Sequence, residues 1–326
     1  MNIWKYSRLD AILFMACIGH FAATFWLASH FEPTSLIGWV LSMSLMVGMN
    51  WYNIIVISHQ FTHTPWFRAS WANRIVSLIN SINIGQSMED YHLRHVHNHH
   101  RYHNDRKMPG QPPKDWASTF RDGKNGEHTT LFRYTVVGTL PILFRIVREL
   151  MSAGNLWRVG DHETDLLPLL SRRAERRTIQ LRQMQFERIA RFIAIIILLM
   201  ISWRWTVLVY FPALYITLVL FNLQNYFEHS GALPESPYAN SVSYYGRIYN
   251  LLTCNDGYHQ EHHLRPQTHW RQLPEVRHMQ NGKLYNIERV ISPVPAIVGF
   301  LHRNRPRLHR YSPESQGKPP SNSDAK

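Results

Sequence analysis

Apolar positions in this chain are gathered into long runs rather than spaced along the face of an amphipathic helix. Asp, Glu, Lys and Arg are absent from residues 11–31, 33–67 and 205–227. Because about 20 apolar residues suffice for a helix to cross a bilayer, these runs predict membrane-spanning helices. We predict an all-α membrane protein with four transmembrane helices in two hairpins, at about residues 11–31, 35–58, 189–203 and 205–225.

The basic residues predict which side of the membrane each connection occupies. Nine Lys or Arg lie from Arg68 to Lys124 and nine more from Arg133 to Arg182, whereas the two hairpin turns contain only Arg204. Short loops rich in Lys and Arg stay in the cytoplasm. We therefore predict a multi-pass protein whose N-terminus, C-terminus and middle region are cytoplasmic. Trp203 and Trp205, beside Arg204, fit the aromatic belt at a membrane interface.

The remaining segments are expected to complete one membrane domain over residues 1–302. Arginines interrupt the apolar stretches 71–84 and 131–150, which predicts helices lying in the interface. Residues 104–128 are rich in Pro, Gly, Lys and Asp and are expected to form a loop. Residues 303–326 have almost nothing to bury, so we predict a disordered cytoplasmic tail.

Composition adds a charge argument. The formal net charge is +13, which cytoplasmic flanks and contacts with anionic lipid can explain. A second interpretation is that the basic segments receive an acidic electron donor or an acidic acyl carrier. Nucleic acid is excluded as a partner because the basic residues flank the predicted spans and form no recognition module.

Histidine is the residue that suggests chemistry. The chain has 20 histidines, and nine of them recur at short helical spacings in four segments that the predicted topology places on the cytoplasmic side. These nine are His59, His63, His95, His99, His100, His229, His259, His262 and His263. His92, His97 and His103 lie off this spacing and are expected to be solvated or to contact a ligand ring.

Nine imidazoles exceed what one ion can use, since a transition metal takes about six ligands. We therefore predict a dimetal site. Carboxylates should balance its charge and hold the second ring N–H of the ligands, and the candidates beside the ligand segments are Glu228, Glu261 and Asp256. Asn225 is predicted to ligate a metal or to hold a metal-bound water.

These residues resemble the integral-membrane fatty acid desaturases and the related membrane alkane hydroxylases. His59-x-x-x-His63, His95-x-x-x-His99-His100 and His259-x-x-His262-His263 are similar to their three histidine boxes in order and spacing. Asn225-Tyr-Phe-Glu-His229 resembles a further element of the alkane hydroxylases. The resemblance extends over about residues 35–274.

The resemblance implies a cytoplasmic helical cap that holds two iron ions, with O2 as co-substrate. It also implies a separate electron donor, namely a ferredoxin, rubredoxin or cytochrome with its reductase. The expected reaction is desaturation of a fatty acyl or lipid chain. Hydroxylation or oxidative decarboxylation of a fatty acid or alkane by the same centre stays open, as do chain length, head group and oligomeric state.

A function from another class is a histidine-rich membrane metal-binding or transport protein. Transporters keep polar or ionisable groups inside their spans, whereas the predicted spans here hold almost none and the histidines lie at their ends. The sequence therefore favours the enzyme.

Overall fold

The computed structural model describes residues 2–32, 34–108, 110–124, 126–151, 165–280 and 291–302. In these ranges the regular structure is helical, and β pairing is limited to isolated bridges, which confirms the all-α class. The tail predicted at 303–326 lies outside the described residues. The α-helices are α1 (Asp10–Ser29), α2 (Leu36–Tyr52), α3 (His59–His63), α4 (Ser70–Ile84), α5 (Met88–His92), α6 (His100–Tyr102), α7 (Gly138–Met151), α8 (Ala174–Trp205), α9 (Phe211–His229), α10 (Arg247–Leu252), α11 (His259–Leu264) and α12 (Leu273–Met279).

Wider and tighter helical turns adjoin several of these helices. The π-helical turns are Asn53–Ser58, Leu93–His99, Arg133–Val137 and Thr206–Tyr210, and the 3-10 turns are Leu167–Leu169, Trp270–Gln272 and Ala296–Leu301. π-Helical turns are rare and occur often at functional sites. Here the first one immediately precedes His59, and the second contains His95 and His99.

Three helical stretches are long and apolar enough to cross a membrane: Asp10–Ser29, Leu36–His63 and Ala174–His229. The third has 56 residues and would be about 84 Å long if straight, far more than the ~30 Å of a bilayer core. It is broken at Ser202, which has φ −157° and ψ 95°. The break lies two residues before Arg204, where the sequence predicts the second hairpin turn. The count of four spans and their orientation stay predictions.

The described chain folds into two compact units, each assembled from two separate stretches of sequence. The first unit comprises Met1–His97 and Thr139–Phe221, and the second comprises Asn98–Gly138 and Asn222–Lys326. Each unit is described by itself below. A single domain over residues 1–302 stays a prediction.

The core of the first unit lies where α1 and α2 pack against the region around the Ser202 break. Its buried side chains are Ala28, Met46, Ile195, Leu198, Trp205, Val209, Tyr210 and Ala213. The Trp205 indole is fully buried and its N–H donates to Ser42 Oγ over 2.7 Å. Our assignment of Trp205 to an interfacial belt was therefore wrong, because the indole packs inside the helices. Trp203 is exposed.

Polar side chains also join the helices of the first unit. The ring of His20 in α1 lies 2.9 Å from Asn50 Oδ1 and 3.1 Å from Asn53 Nδ2. Cys17 contacts Asn80 of α4, and the Asn83 amide donates to the carbonyl of Cys17. Cys17 is a free thiol. These buried helix contacts make the spans more polar inside than their charge pattern indicates.

A buried carboxylate joins α8 to the segments before the second histidine box. Glu187 is fully buried and accepts hydrogen bonds from the Ser77 and Ser87 hydroxyls over 2.5 and 2.6 Å, and from the Glu89 N–H over 2.9 Å. Beside it, Asp90 pairs with Arg94 over 2.7 Å and with Arg145 over 3.1 Å. These contacts fix α5, which leads directly into the Leu93–His99 turn.

The second unit consists of short helices and ordered loops. The described residues of 104–128 form the predicted loop, and its turns are held by side chains: Asp105 accepts from the N–H groups of Lys114 and Asp115, and the Asn98 amide donates to the Lys114 carbonyl.

Helices form at 71–84 and over most of 131–150 as predicted. That these two helices lie in the interface stays a prediction.

Candidate metal centre

Four buried histidines meet inside the second unit. They are His99 at the end of a π-helical turn, His229 at the end of α9, and His259 and His263 of α11. One nitrogen from each ring lies within 4.8 Å of the others. No ring is more than 4% exposed. Segments far apart in sequence thus deliver four imidazoles to one point.

The outer nitrogens of two of these rings are held by groups that only accept hydrogen bonds. His99 Nδ1 lies 2.9 Å from Asp115 Oδ2, and His229 Nδ1 lies 3.1 Å from the Asn240 carbonyl oxygen. Each Nδ1 therefore carries the proton and donates it, which leaves a lone pair on Nε2 for the interior of the group. An N–H anchored in this way is the usual outer contact of a metal-bound histidine.

Two further contacts adjoin this group. His100 Nε2 and His262 Nε2 are 3.0 Å apart, so these two rings present nitrogens to each other. His103 Nδ1 lies 3.2 Å from His263 Nδ1. His100 contacts both adjacent residues of this box, but of these two only His263 belongs to the four-histidine group.

A second group of histidines lies inside the first unit. His59, His63 and His95 each offer a nitrogen within 4.8 Å of the other two, and their ring centroids are 4.7–5.2 Å apart. His59 Nδ1 lies 3.3 Å from the carbonyl of Ile55, one turn back. Tyr91 stacks on His95 at 5.5 Å. The first box and one histidine of the second therefore come together.

One expectation about the second box needs correction. The spacing predicts that His95 and His99 share one face of an α-helix and act together. Residues Leu93–His99 are instead π-helical, and the wider turn changes the angle between successive side chains. His95 joins His59 and His63, whereas His99 joins the four-histidine group.

Burial shifts the pKa values of two groups here in opposite ways. Burial lowers the pKa of His263 well below its usual value, and the neighbouring rings of His100 and His259 lower it further. This ring is therefore neutral, the form in which histidine binds metals. Burial alone would raise the pKa of Asp115, but the His99 ring and the N–H groups of Ala117 and Asn104 outweigh it and hold this pKa below the usual value, so Asp115 is a carboxylate.

The carboxylates nominated from the sequence have different surroundings. Glu228 Oε2 lies 3.6 Å from His259 Nε2, and the Gln224 amide donates to both Glu228 and Asp256, over 2.8 and 2.9 Å. Glu261 accepts from the hydroxyls of Ser243 and Tyr245, over 2.8 and 2.7 Å. Among the described contacts, Glu228 is the nominated carboxylate that approaches a box histidine.

Asn225 lies one turn before His229 on α9. Its amide nitrogen donates to the phenol oxygen of Tyr134 over 2.5 Å and to the carbonyl of Ala117 over 3.4 Å. Tyr134 is half-buried, and the desolvation of its phenol raises its pKa above the usual value. These contacts orient the amide; whether its oxygen ligates stays a prediction.

Asp115 is the functional residue that the sequence analysis missed. It lies in the 104–128 loop, which was assigned no chemistry, 16 residues after the histidine that it contacts. Its only sequence signal is an acidic residue downstream of the second box, and loop carboxylates are too common for that to single it out.

The backbone just before the third box makes a close contact with another segment of the chain. A side chain at Gly257 would collide with the carbonyl of Tyr244 and with the amide of Asn250. The Gly257 carbonyl in turn accepts from the Tyr244 N–H over 2.7 Å. Only glycine fits at this contact, which sets where α11 begins.

The donor set fits a transition metal. Imidazole nitrogen suits iron, copper, zinc and nickel, and the buried Nε2 of His263 has no hydrogen-bond partner among the described residues. Four neutral rings facing one another would otherwise leave buried nitrogens poorly satisfied, which costs free energy.

Comparison with known proteins identifies the class. The sequence model of the family described as "Fatty acid desaturase" matches residues 33–290. This is most of the chain, so the chain belongs to the fatty acid desaturase family. The resemblance drawn from the histidine boxes is confirmed. The family is typically metal-dependent, in keeping with the histidine groups described above.

Two curated proteins are similar over short segments. The sphingolipid delta(4)-desaturase of Candida albicans is 54% identical over 39 residues, which are 12% of this chain and 10% of that protein. The sphingolipid delta(4)-desaturase of Komagataella phaffii is 35% identical over 74 residues, 23% of this chain and 20% of that protein. The chain thus matches at most a fifth of the length of these relatives. No solved structure matches it.

Proposed function

We propose that this protein is an O2-dependent membrane di-iron oxidoreductase that desaturates a fatty acyl or lipid chain. The observation that carries the proposal is the group formed by His99, His229, His259 and His263, in which four buried imidazoles converge. Membership of the desaturase family supplies the reaction class.

The ligands proposed for one iron are the four histidines of that group. The other box histidines, which are His59, His63, His95, His100 and His262, are proposed as further iron ligands. Asn225 is proposed to ligate or to hold a water, oriented by its contact with Tyr134. Bound iron would supply the reduction of O2 and the removal of hydrogen from an unactivated C–H bond.

The protein residues then have three tasks. Asp115 and the Asn240 carbonyl hold the rings of His99 and His229 in the tautomer that binds metal. Burial keeps bulk water away from the rings. Glu228, whose Oε2 lies 3.6 Å from His259 Nε2, is proposed to offset part of the charge of a bound metal.

The proposed reaction balances only with an external reductant. The substrate loses two hydrogen atoms as its double bond forms, which provides two electrons and two protons. O2 becomes two waters when a donor protein adds two more electrons and solvent adds two more protons. We propose that this donor is a ferredoxin, rubredoxin or cytochrome with its reductase, docking at the basic segments on the cytoplasmic side.

Desaturation is favoured over the alternatives by the relatives. Both similar curated proteins are sphingolipid desaturases, whereas hydroxylation and oxidative decarboxylation rest only on the resemblance, since the same histidine boxes would serve all three reactions. The substrate is proposed to be a lipid chain in the bilayer or one delivered on an acidic carrier.

The test is expression with a donor system, followed by mass spectrometry of cellular lipids and metal analysis of the purified protein. Desaturation gives products that lack two hydrogens, whereas hydroxylation adds one oxygen and decarboxylation removes the carboxyl carbon. We expect bound iron and O2-dependent loss of two hydrogens. His262→Ala should abolish the product, and His278→Ala, which changes an exposed histidine of α12, should not.

The proposal fails if the wild type binds no iron or if His262→Ala makes the product normally. Metal uptake across vesicles without any change in lipids would favour the transport protein instead.

A further inference from the structure

His103 lies outside the histidine boxes but contacts one of their members. Its Nδ1 is 3.2 Å from Nδ1 of His263. His263 is 3% exposed, whereas His103 is half-buried. The contact joins residues 160 positions apart in the sequence, so chain proximity does not account for it.

The environment of His263 indicates which way the hydrogen bond runs. Its Nε2 is buried and has no hydrogen-bond partner among the described residues, and it belongs to the group whose nitrogens converge within 4.8 Å. If Nε2 is the ligand atom, a neutral ring must carry its proton on Nδ1. His263 Nδ1–H then donates to the lone pair on Nδ1 of His103.

The backbone at His103 is held in an unfavourable conformation. His103 and Asn104 have φ of 48° and 62°, in the left-handed region that non-glycine residues seldom adopt. Asparagine tolerates this region, whereas a histidine there is strained. Strain of this kind persists only where the surrounding structure imposes it.

The surrounding contacts hold the turn firmly. The N–H of His103 donates to the carbonyl of His99 over 2.8 Å, and the N–H of Asn104 donates to Asp115 Oδ2 over 2.7 Å. Asn104 Oδ1 accepts from both the N–H and the hydroxyl of Thr119, over 2.7 and 2.9 Å. Asp115 therefore holds the His99 ring and the turn that carries His103.

We propose that His103 is a positioning residue for His263. It accepts the Nδ1–H of His263 and so fixes the ring angle and the metal-binding tautomer, as Asp115 does for His99 and the Asn240 carbonyl does for His229. Three of the four rings in the group are then anchored through Nδ1. This inference rests on the proposed function, because it assumes that His263 ligates a metal through Nε2.

Three substitutions separate the hydrogen bond from the backbone strain. His103→Leu removes the acceptor and keeps the strain, whereas His103→Gly removes the acceptor and relieves the strain. His103→Asn keeps an acceptor near the position of Nδ1 and tolerates the left-handed backbone. His278→Leu is the matched control for loss of a histidine elsewhere.

The measurement is Co²⁺ binding to the full-length protein in detergent, by affinity and by the ligand-field absorption bands, with iron content as a second readout. Loss of an outer hydrogen bond typically weakens metal affinity about 10–100-fold. We expect this loss and shifted bands in His103→Leu and His103→Gly. His103→Asn and His278→Leu should stay close to the wild type.

Different results would overturn different claims. If the wild type binds metal and His103→Gly binds it equally well, the positioning role is wrong and the proposed function stands. If His103→Asn is as impaired as His103→Leu, the hydrogen-bond role is likewise wrong. If the wild type binds neither cobalt nor iron, this inference and the proposed function are both wrong.

Discussion

The two histidine groups are built in different ways. In the first unit, His59 and His63 come from a single helical turn, and two of the contacts of the group are short-range: His59 with a carbonyl four residues back and His95 with the stacked ring of Tyr91. In the second unit, His99, His229, His259 and His263 come from three separate segments. Their outer contacts, such as Asp115 and Asn240, lie in loops.

The difference shows how metal ligands can be held by a helix or by loops. A helix places its side chains through its own geometry, so two ligands on one turn, such as His59 and His63, need little outside support. A group collected from several segments has no such geometry and depends on hydrogen bonds that hold each ring. Metal binding in the second unit should therefore be more sensitive to substitutions outside the boxes.

The largest such effect is expected at Asp115. Asp115→Asn removes the carboxylate and offers an amide that can present N–H instead of an acceptor to His99 Nδ1. We expect metal affinity to fall about 10–100-fold, measured by Co²⁺ titration of the purified protein.

Asp122→Asn is the matched control, because Asp122 lies in the same loop and forms an exposed pair with Arg133 at 3.5 Å. Equal affinities for Asp115→Asn and Asp122→Asn would refute the dependence of the second group on its loop contacts.

A smaller effect is expected at Tyr91 in the first unit. Tyr91→Leu removes the ring that stacks on His95, and such aromatic contacts contribute about 0.5–1.5 kcal/mol beyond burial. Metal affinity should fall only severalfold, and Tyr91→Phe, which keeps the ring, should show no loss. A loss as large as that of Asp115→Asn would contradict the claim that the second histidine group is the more sensitive to substitutions outside the boxes.

Glu89 is expected to affect metal binding least, because its effect is on the stability of the first unit. Burial, and then the charge of Glu187, raise the pKa of Glu89 to about 7. A carboxyl group whose folded pKa is raised stabilises the fold at low pH, and this contribution is lost as the pH rises from about 4.5 to about 7. Glu89→Gln removes the cost of the buried charge.

Glu89→Gln should therefore melt at a higher temperature than the wild type at pH 8 and near the wild type at pH 5. The gain in free energy of unfolding is expected to be about 1–3 kcal/mol, measured by thermal unfolding in detergent. Glu175→Gln, at an exposed position of α8, should show no pH-dependent gain. A gain of equal size at both pH values would mean that burial does not raise this pKa.

Much of the fold was predictable from local pattern. The charge-free runs predicted the helices near 11–31 and 35–58, and the region around Arg204 was recognised as a break within a long apolar stretch. The burial of Trp205 was not predictable, because an indole beside an arginine is typical of a membrane interface. Only the structure shows that this indole packs against the Ser42 hydroxyl. The polar contacts of His20 with Asn50 and Asn53 were likewise invisible, since the partners come from different helices.

The chain alone specified which histidines are candidates and that they suit a transition metal, because residue type and helical spacing are local properties. Only the tertiary structure decided how they are grouped: across a π-helical turn His95 and His99 join different groups, and of the adjacent His262 and His263 only His263 belongs to the four-histidine group. The same holds for Asp115 and His103. Their contacts depend on where a loop and a left-handed turn return in space, and no spacing along the chain encodes that distance.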